Sequence, residues 1–144
     1  MLIPAIMSAD IFNLAEELDK LLLLNIDALH VGVSTTLDQQ PSLGFRVCRS
    51  IRNYSSKVAM DVCVRGQLTD DMIKSLIDLP VRSISIHVDR VPNWEALIGR
   101  IQQSGCAVGL AIPAESRIEA YTSYLEKIDR LLILPDSVSA NGTT

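Results

Sequence analysis

The chain has no apolar run approaching the roughly 18–20 residues that span a bilayer. Its densest apolar stretch, Leu21–Leu24, sits among Glu16, Glu17, Asp19 and Lys20, so no membrane partner is expected. No Lys or Arg stands in the apolar opening Met1–Met7, and Asp10 follows at once, which leaves a signal-peptide pattern incomplete. Positive charge is also in deficit. Thirteen Lys and Arg against 17 Asp and Glu give a formal charge of −4, offering no footprint for nucleic acid and no polybasic anchor for an acidic membrane. Cysteine is scarce: Cys48, Cys63 and Cys106 form no CxxC pair, and an odd count suits a reducing compartment better than a disulfide framework. Together these absences predict a cytoplasmic protein. Neither a Ser-His-Asp nor a Cys-His nucleophile signature is present, and no nucleotide cofactor is expected. Length sets a further bound, because 144 residues fall short of the roughly 200 that a complete (β/α)8 barrel needs.

What is present is a core. The chain is 48% hydrophobic, enough for one domain that needs no structural metal or disulfide. Two periodicities alternate along it. Near-continuous apolar runs read as strands covered on both faces: Leu2–Met7, Ala28–Val33, Lys57–Val64, Val81–His87, Ala107–Ile112 and Asp129–Leu134. Between them lie helical stripes, such as Ile11, Phe12, Leu14, Ala15, Leu18, Leu21 and Leu22, and the set Trp94, Leu97, Ile98 and Ile101. Asp10, Thr69 or Asp70, and Asn93 are the expected N-caps, and Gly105 the expected helix stop. Strand starts recur every 22–29 residues, a βα unit of one size. The predicted organisation is one domain over residues 1–134 and a polar tail over 135–144. Pattern alone leaves two architectures, an open doubly wound sheet and part of a barrel.

In both, chemistry sits at the carboxyl ends of the strands. Ile3-Pro4-Ala5-Ile6-Met7-Ser8-Ala9-Asp10 resembles the opening motif of the ribulose-phosphate 3-epimerases. Leu29-His30-Val31-Gly32-Val33, Met60-Asp61-Val62-Cys63-Val64, Ile84-Ser85-Ile86-His87 and Gly109-Leu110-Ala111-Ile112-Pro113-Ala114 follow in the family's order, and Asp129–Leu134 takes the next place. The resemblance implies an α/β fold of parallel βα repeats, an incomplete TIM (β/α)8-like barrel of about six strands. It implies ancestry in a metal-dependent proton transfer on a ketose phosphate, in which a divalent metal (Zn, Fe or Mn) polarises a carbonyl and two carboxylates act as base and acid.

Carried over residue by residue, the resemblance gives Ser8 as a substrate-binding residue and His30 and Cys63 at the positions of the two metal histidines. Gly32 stands where the family has an Asp that is both ligand and catalytic carboxylate, and the other catalytic Asp belongs to a seventh strand outside these six. No residue is therefore assigned as catalytic. The residues themselves keep second readings. His30 is a ligand or a core histidine, Cys63 a soft ligand or a small hydrophobe, and Ser8 a ligand contact or a cap. Asp61, inside an apolar strand, is functional or salt-bridged, and Arg65 is that partner, a phosphate clamp or a solvated strand end. His87 is an acid–base partner of Asp89 or a packing residue. Three functional readings follow: a ketose-phosphate epimerase, a non-catalytic relative that binds a sugar phosphate or a protein, and a truncated gene product. Open edges at the first and sixth expected strands predict pairing with a second copy or a different, longer chain, or else marginal stability.

Overall fold

The computed structural model describes residues 2–35, 44–87 and 94–134. Its centre is a sheet of five parallel strands in sequential order: β1 (Ala28–Ser34), β2 (Ala59–Arg65), β3 (Val81–His87), β4 (Ala107–Pro113) and β5 (Arg130–Leu134). Helices α1 (Leu14–Leu23), α2 (Phe45–Tyr54), α3 (Asp70–Ile77), α4 (Trp94–Gln103) and α5 (Thr122–Leu125) alternate with them. The sheet curls into a half-barrel, an incomplete α/β TIM-like barrel. Sequential order in a parallel sheet requires each crossover to run over the same face, and this carries all the helices to the convex side.

Alternation along the strands then separates two environments. Leu29, Val31 and Val33 of β1, Met60, Val62 and Val64 of β2, and Ile84 and Ile86 of β3 face the helices and are buried. They meet Leu18 of α1, Cys48 and Ile51 of α2, Ile73 and Leu76 of α3, and Leu97, Ile98 and Ile101 of α4. Each such side chain contributes about 1.5–3 kcal/mol on leaving water, so this layer carries most of the folding free energy. Along β1–β4 the concave face holds the intervening residues, which are polar or small.

Helix ends follow the expected chemistry where they are described. Thr69 Oγ1 accepts from Met72 N at 3.3 Å at the start of α3. Asp10 accepts from Phe12 N at 3.0 Å, but the turn it caps is a 3-10 turn over Ile11–Asn13 rather than the start of α1. The change of pitch turns Ile11 and Phe12 outward, 55% and 100% exposed, so the apolar stripe expected there begins only at Leu14. Gly105 follows α4 with φ +81°, a left-handed backbone that suits glycine. Asn93 and the tail 135–144 lie outside the described residues.

The expected first strand is corrected. Leu2–Met7 contributes one parallel bridge, Ala5 with His30, with His30 N donating to Pro4 O at 2.8 Å. Proline has no N–H to continue a ladder, and the backbone turns into a 3-10 turn over Ile6–Ser8. The sixth expected strand, in contrast, forms as β5.

Candidate functional site

Register places the concave side chains in tiers. His30 lies level with Asp61 and Ser83; Gly32 with Cys63, Ser85, Gly109 and Arg130; and Ser34 with Arg65. The first tier is at the amino ends of the strands and the last at their carboxyl ends, the end at which barrel enzymes place their chemistry.

At the amino end Asp61 is 7% exposed and fully engaged. Its Oδ1 accepts from Ser83 Oγ at 2.9 Å and Arg82 Nε at 3.3 Å, and its Oδ2 from Arg82 Nη2 and Arg130 Nη1, both at 2.8 Å. Arg82 reaches this position because the ladder slips between Met60 and Asp61. Met60 pairs with Val81 and Asp61 with Ser83, which leaves Arg82 between them. Burial pushes the Asp61 carboxyl upward, but the hydrogen bonds from Arg82 and Ser83 and the charges of Arg130 and Arg82 outweigh it and hold the group below the ordinary carboxylate range. Of the two readings of Asp61, the salt bridge is the one formed, with Arg82 and Arg130 as partners in place of Arg65. The Arg65 carbonyl accepts from Thr35 N at 2.9 Å and from Thr35 Oγ1 at 3.3 Å.

One tier up, Cys63 Sγ stands 3.5 Å from His87 Nε2, both side chains buried. Burial pushes the Cys63 thiol up to about 12, with the charge of Arg65 opposing, so the thiol keeps its proton at neutral pH. Burial also lowers His30, against the opposing field of Asp61. Asp89 lies outside the described residues. Gly32 is covered by Met7, whose Sδ is 3.4 Å and Cγ 3.5 Å from the place a Cβ at Gly32 would take. A thioether therefore lies over the position where the resemblance puts a carboxylate.

Ser8 ends the first 3-10 turn and is exposed, and the next turn is capped by Asp10 instead. It lines a groove of about 210 Å³ with Ile6, Leu14 and Leu18. A separate cavity of about 440 Å³ on the concave face is lined by His30, Asp61, Ser83, Ser85, Arg130 and the apolar Ile3, Ala5, Leu131 and Leu132. Ser8 and His30 thus line different spaces.

A divalent metal on this face would draw on His30, Cys63 and Asp61. His30 and Cys63 share a face on neighbouring strands, but Cys63 lies against His87 and Asp61 is saturated by three residues. Among the described residues no three His, Cys, Asp or Glu side chains form a metal-holding group. Three or four protein donors are needed, so these residues do not fit such an ion. Arg82, Ser83, Ser85 and Arg130 belong to the site without being candidates in the sequence pattern. Their signal was weak: one charge at the start of each of two apolar strands.

A parallel half-barrel with helices outside and polar residues inside defines a protein of the TIM-barrel class. Residues 1–142 match the ribulose-phosphate 3 epimerase family, and the chain belongs to that family. It is 27% identical over 134 residues to the ribulose-phosphate 3-epimerase of Buchnera aphidicola from Acyrthosiphon pisum, covering 92% of this chain and 59% of that protein. For the Serratia marcescens enzyme the values are 26% over 136 residues, 93% and 64%. For that of Escherichia coli K12 they are 24% over 136 residues, 93% and 60%. The chain thus spans about six-tenths of the length of these relatives. Among solved structures, the phospho-2-dehydro-3-deoxyheptonate aldolase of Thermotoga maritima superposes with a TM-score of 0.62 at 20% identity, over 87% of this chain and 37% of that one, a likeness of fold. No helix among the described residues is long and apolar enough to cross a membrane.

Proposed function

We propose that this chain is a non-catalytic member of its family, which binds a ketose phosphate at the carboxyl end of the strands without epimerising it. The observation that carries the reading is Met7 lying over Gly32, 3.4 Å from where a side chain would begin. Proton transfer between the faces of a sugar needs an acid–base group on each side of the reacting carbon, and the resemblance puts a carboxylate in both places. Among the described strands the concave face carries one carboxylate, Asp61, and it is locked at the amino end by Arg82, Ser83 and Arg130. Ser8, the residue after Met7, is the substrate contact on this reading. The free thiols fit a reducing, cytoplasmic location.

The test is solvent-deuterium exchange at C3 of ribulose 5-phosphate, run with added Zn, Fe or Mn, beside a thermal melt with the same sugar. The expected result is no exchange above buffer and a raised melting temperature. Enzyme-dependent exchange overturns the reading, and so does the absence of any melting shift.

One observation favours a second reading, assembly. Leu131 and Ile133 on the convex face of β5 are 36% and 60% exposed, whereas the matching residues of β1–β4 are 0–3% exposed. Packing of another chain, a second copy or a different protein, against this face covers them. Sedimentation of the purified chain decides it: a monomer at all concentrations removes this reading.

A further inference from the structure

The amino end of the half-barrel contains more polar donors than the Asp61 network uses. That network accounts for Ser83 and for one nitrogen of Arg130, whose Nη1 donates to Asp61 Oδ2 at 2.8 Å and lies 3.4 Å from Ser83 Oγ. Among the described residues, Nε and Nη2 of Arg130 have no partner, and the side chain is 38% exposed on the cavity wall. Guanidinium is a planar fork of five donors suited to a two-point grip on an oxyanion. Two more polar groups line the same 440 Å³. Ser85 is 7% exposed, and neither its hydroxyl nor the His30 ring has a partner among the described residues. Gly109 is what admits Ser85 in this position: a Cβ there would fall 2.1 Å from Ser85 Oγ and 2.9 Å from Ser85 Cβ. The rest of the wall, Ile3, Ala5, Leu131 and Leu132, is apolar.

A half-buried cation with open donors, a neighbouring hydroxyl and an apolar wall together match an amphiphilic anion. We propose that this cavity is a binding site for a short aliphatic carboxylate, its head on Arg130 and Ser85 and its carbon chain against Ile3, Ala5 and Leu132. The volume suits such a ligand, since small-molecule sites begin near about 300 Å³. The site lies at the opposite end of the strands from the one proposed for the sugar phosphate and does not depend on it.

The test is titration of the full isotope-labelled chain with butyrate, butanol and inorganic phosphate, followed by amide NMR. Butyrate is expected to saturate and to move the amides of Ser85, Arg130 and Leu132, while butanol does not. Arg130→Gln is expected to weaken butyrate by about tenfold or more, the worth of a charged hydrogen-bond pair. Because that change also touches Asp61, Ser85→Ala serves as the second variant. It removes an unpartnered hydroxyl, leaves the fold intact, and is expected to weaken butyrate about threefold. The site is refuted if butyrate fails to saturate, or binds both variants as it binds the parent. Phosphate saturating where butyrate does not refutes the carboxylate assignment.

Discussion

Replacing Asp61 by Asn keeps the shape of the side chain and removes its charge, leaving Arg82 and Arg130 facing a neutral amide. Breaking a buried ion pair by removing one partner costs about 3–5 kcal/mol. Asp61 is 9% exposed at its side chain, but Arg82 and Arg130 are 30% and 38% exposed, so water relieves part of the stranded charge. We therefore expect Asp61→Asn to lose about 2–3 kcal/mol at pH 7, a fall in Tm of about 6–15 °C for a domain of this size. The pH dependence gives a sharper signature. The folded-state carboxyl is held below its unfolded value, so its stabilisation is fully present above about pH 4–5 and is lost as pH falls through the unfolded value of about 3.9 toward the lower folded one. The parent loses this increment in acid and the Asn variant has none to lose, while the other carboxylates protonate in both and cancel. Urea unfolding of the two proteins at pH 7 and near pH 3 is the assay. A difference under about 1 kcal/mol at pH 7, or one that does not shrink in acid, refutes the assignment of Asp61 as the buried anchor of two arginines.

Three further outcomes follow from particular contacts. Gly109→Ala places a methyl against Ser85, with the Ser85 Cα only 3.1 Å away, and is expected to destabilise by about 1–3 kcal/mol in denaturant melts, whereas Gly99→Ala, where a Cβ meets nothing within 4 Å, does not. Alkylation of the native protein is expected to modify half-buried Cys106 first. Cys48 and Cys63 are buried thiols whose pKa values are pushed up to about 11 and 12, so mass spectrometry should find them modified only on unfolding. Thr69→Ala removes the side-chain cap on Met72 N and is expected to cost about 1 kcal/mol, read as a loss of unfolding free energy with no change in the position of the β-sheet amide resonances.

Legibility differed between elements for identifiable reasons. The strands β1–β5 were visible because their apolar runs are contiguous and bounded by helical stripes, and the cap at Thr69 because its bond spans three residues. Leu2–Met7 has the same apolar composition but carries Pro4, and one missing N–H turned an expected strand into a single bridge at Ala5. The stripe at Ile11 and Phe12 was misplaced because a 3-10 turn rotates residues by a different angle from an α-helix. Within the candidate site, Gly32 and Cys63 could be read as departures from the family pattern. Their consequences could not, since Met7 comes from the amino-terminal segment and His87 from another strand.

The order of βα units, the choice of parallel strands and the family membership were determined by the sequence alone, because each rests on local periodicity and on motifs a few residues long. The tertiary structure decided which side chains meet. Asp61 is bound by residues 21, 22 and 69 positions away, and only the closure of the sheet and a one-residue slip at Met60 bring Arg82, Ser83 and Arg130 to it. Partners so distant leave no trace in spacing, and this is why a carboxylate inside an apolar strand looked equally fit for chemistry and for holding the half-barrel together.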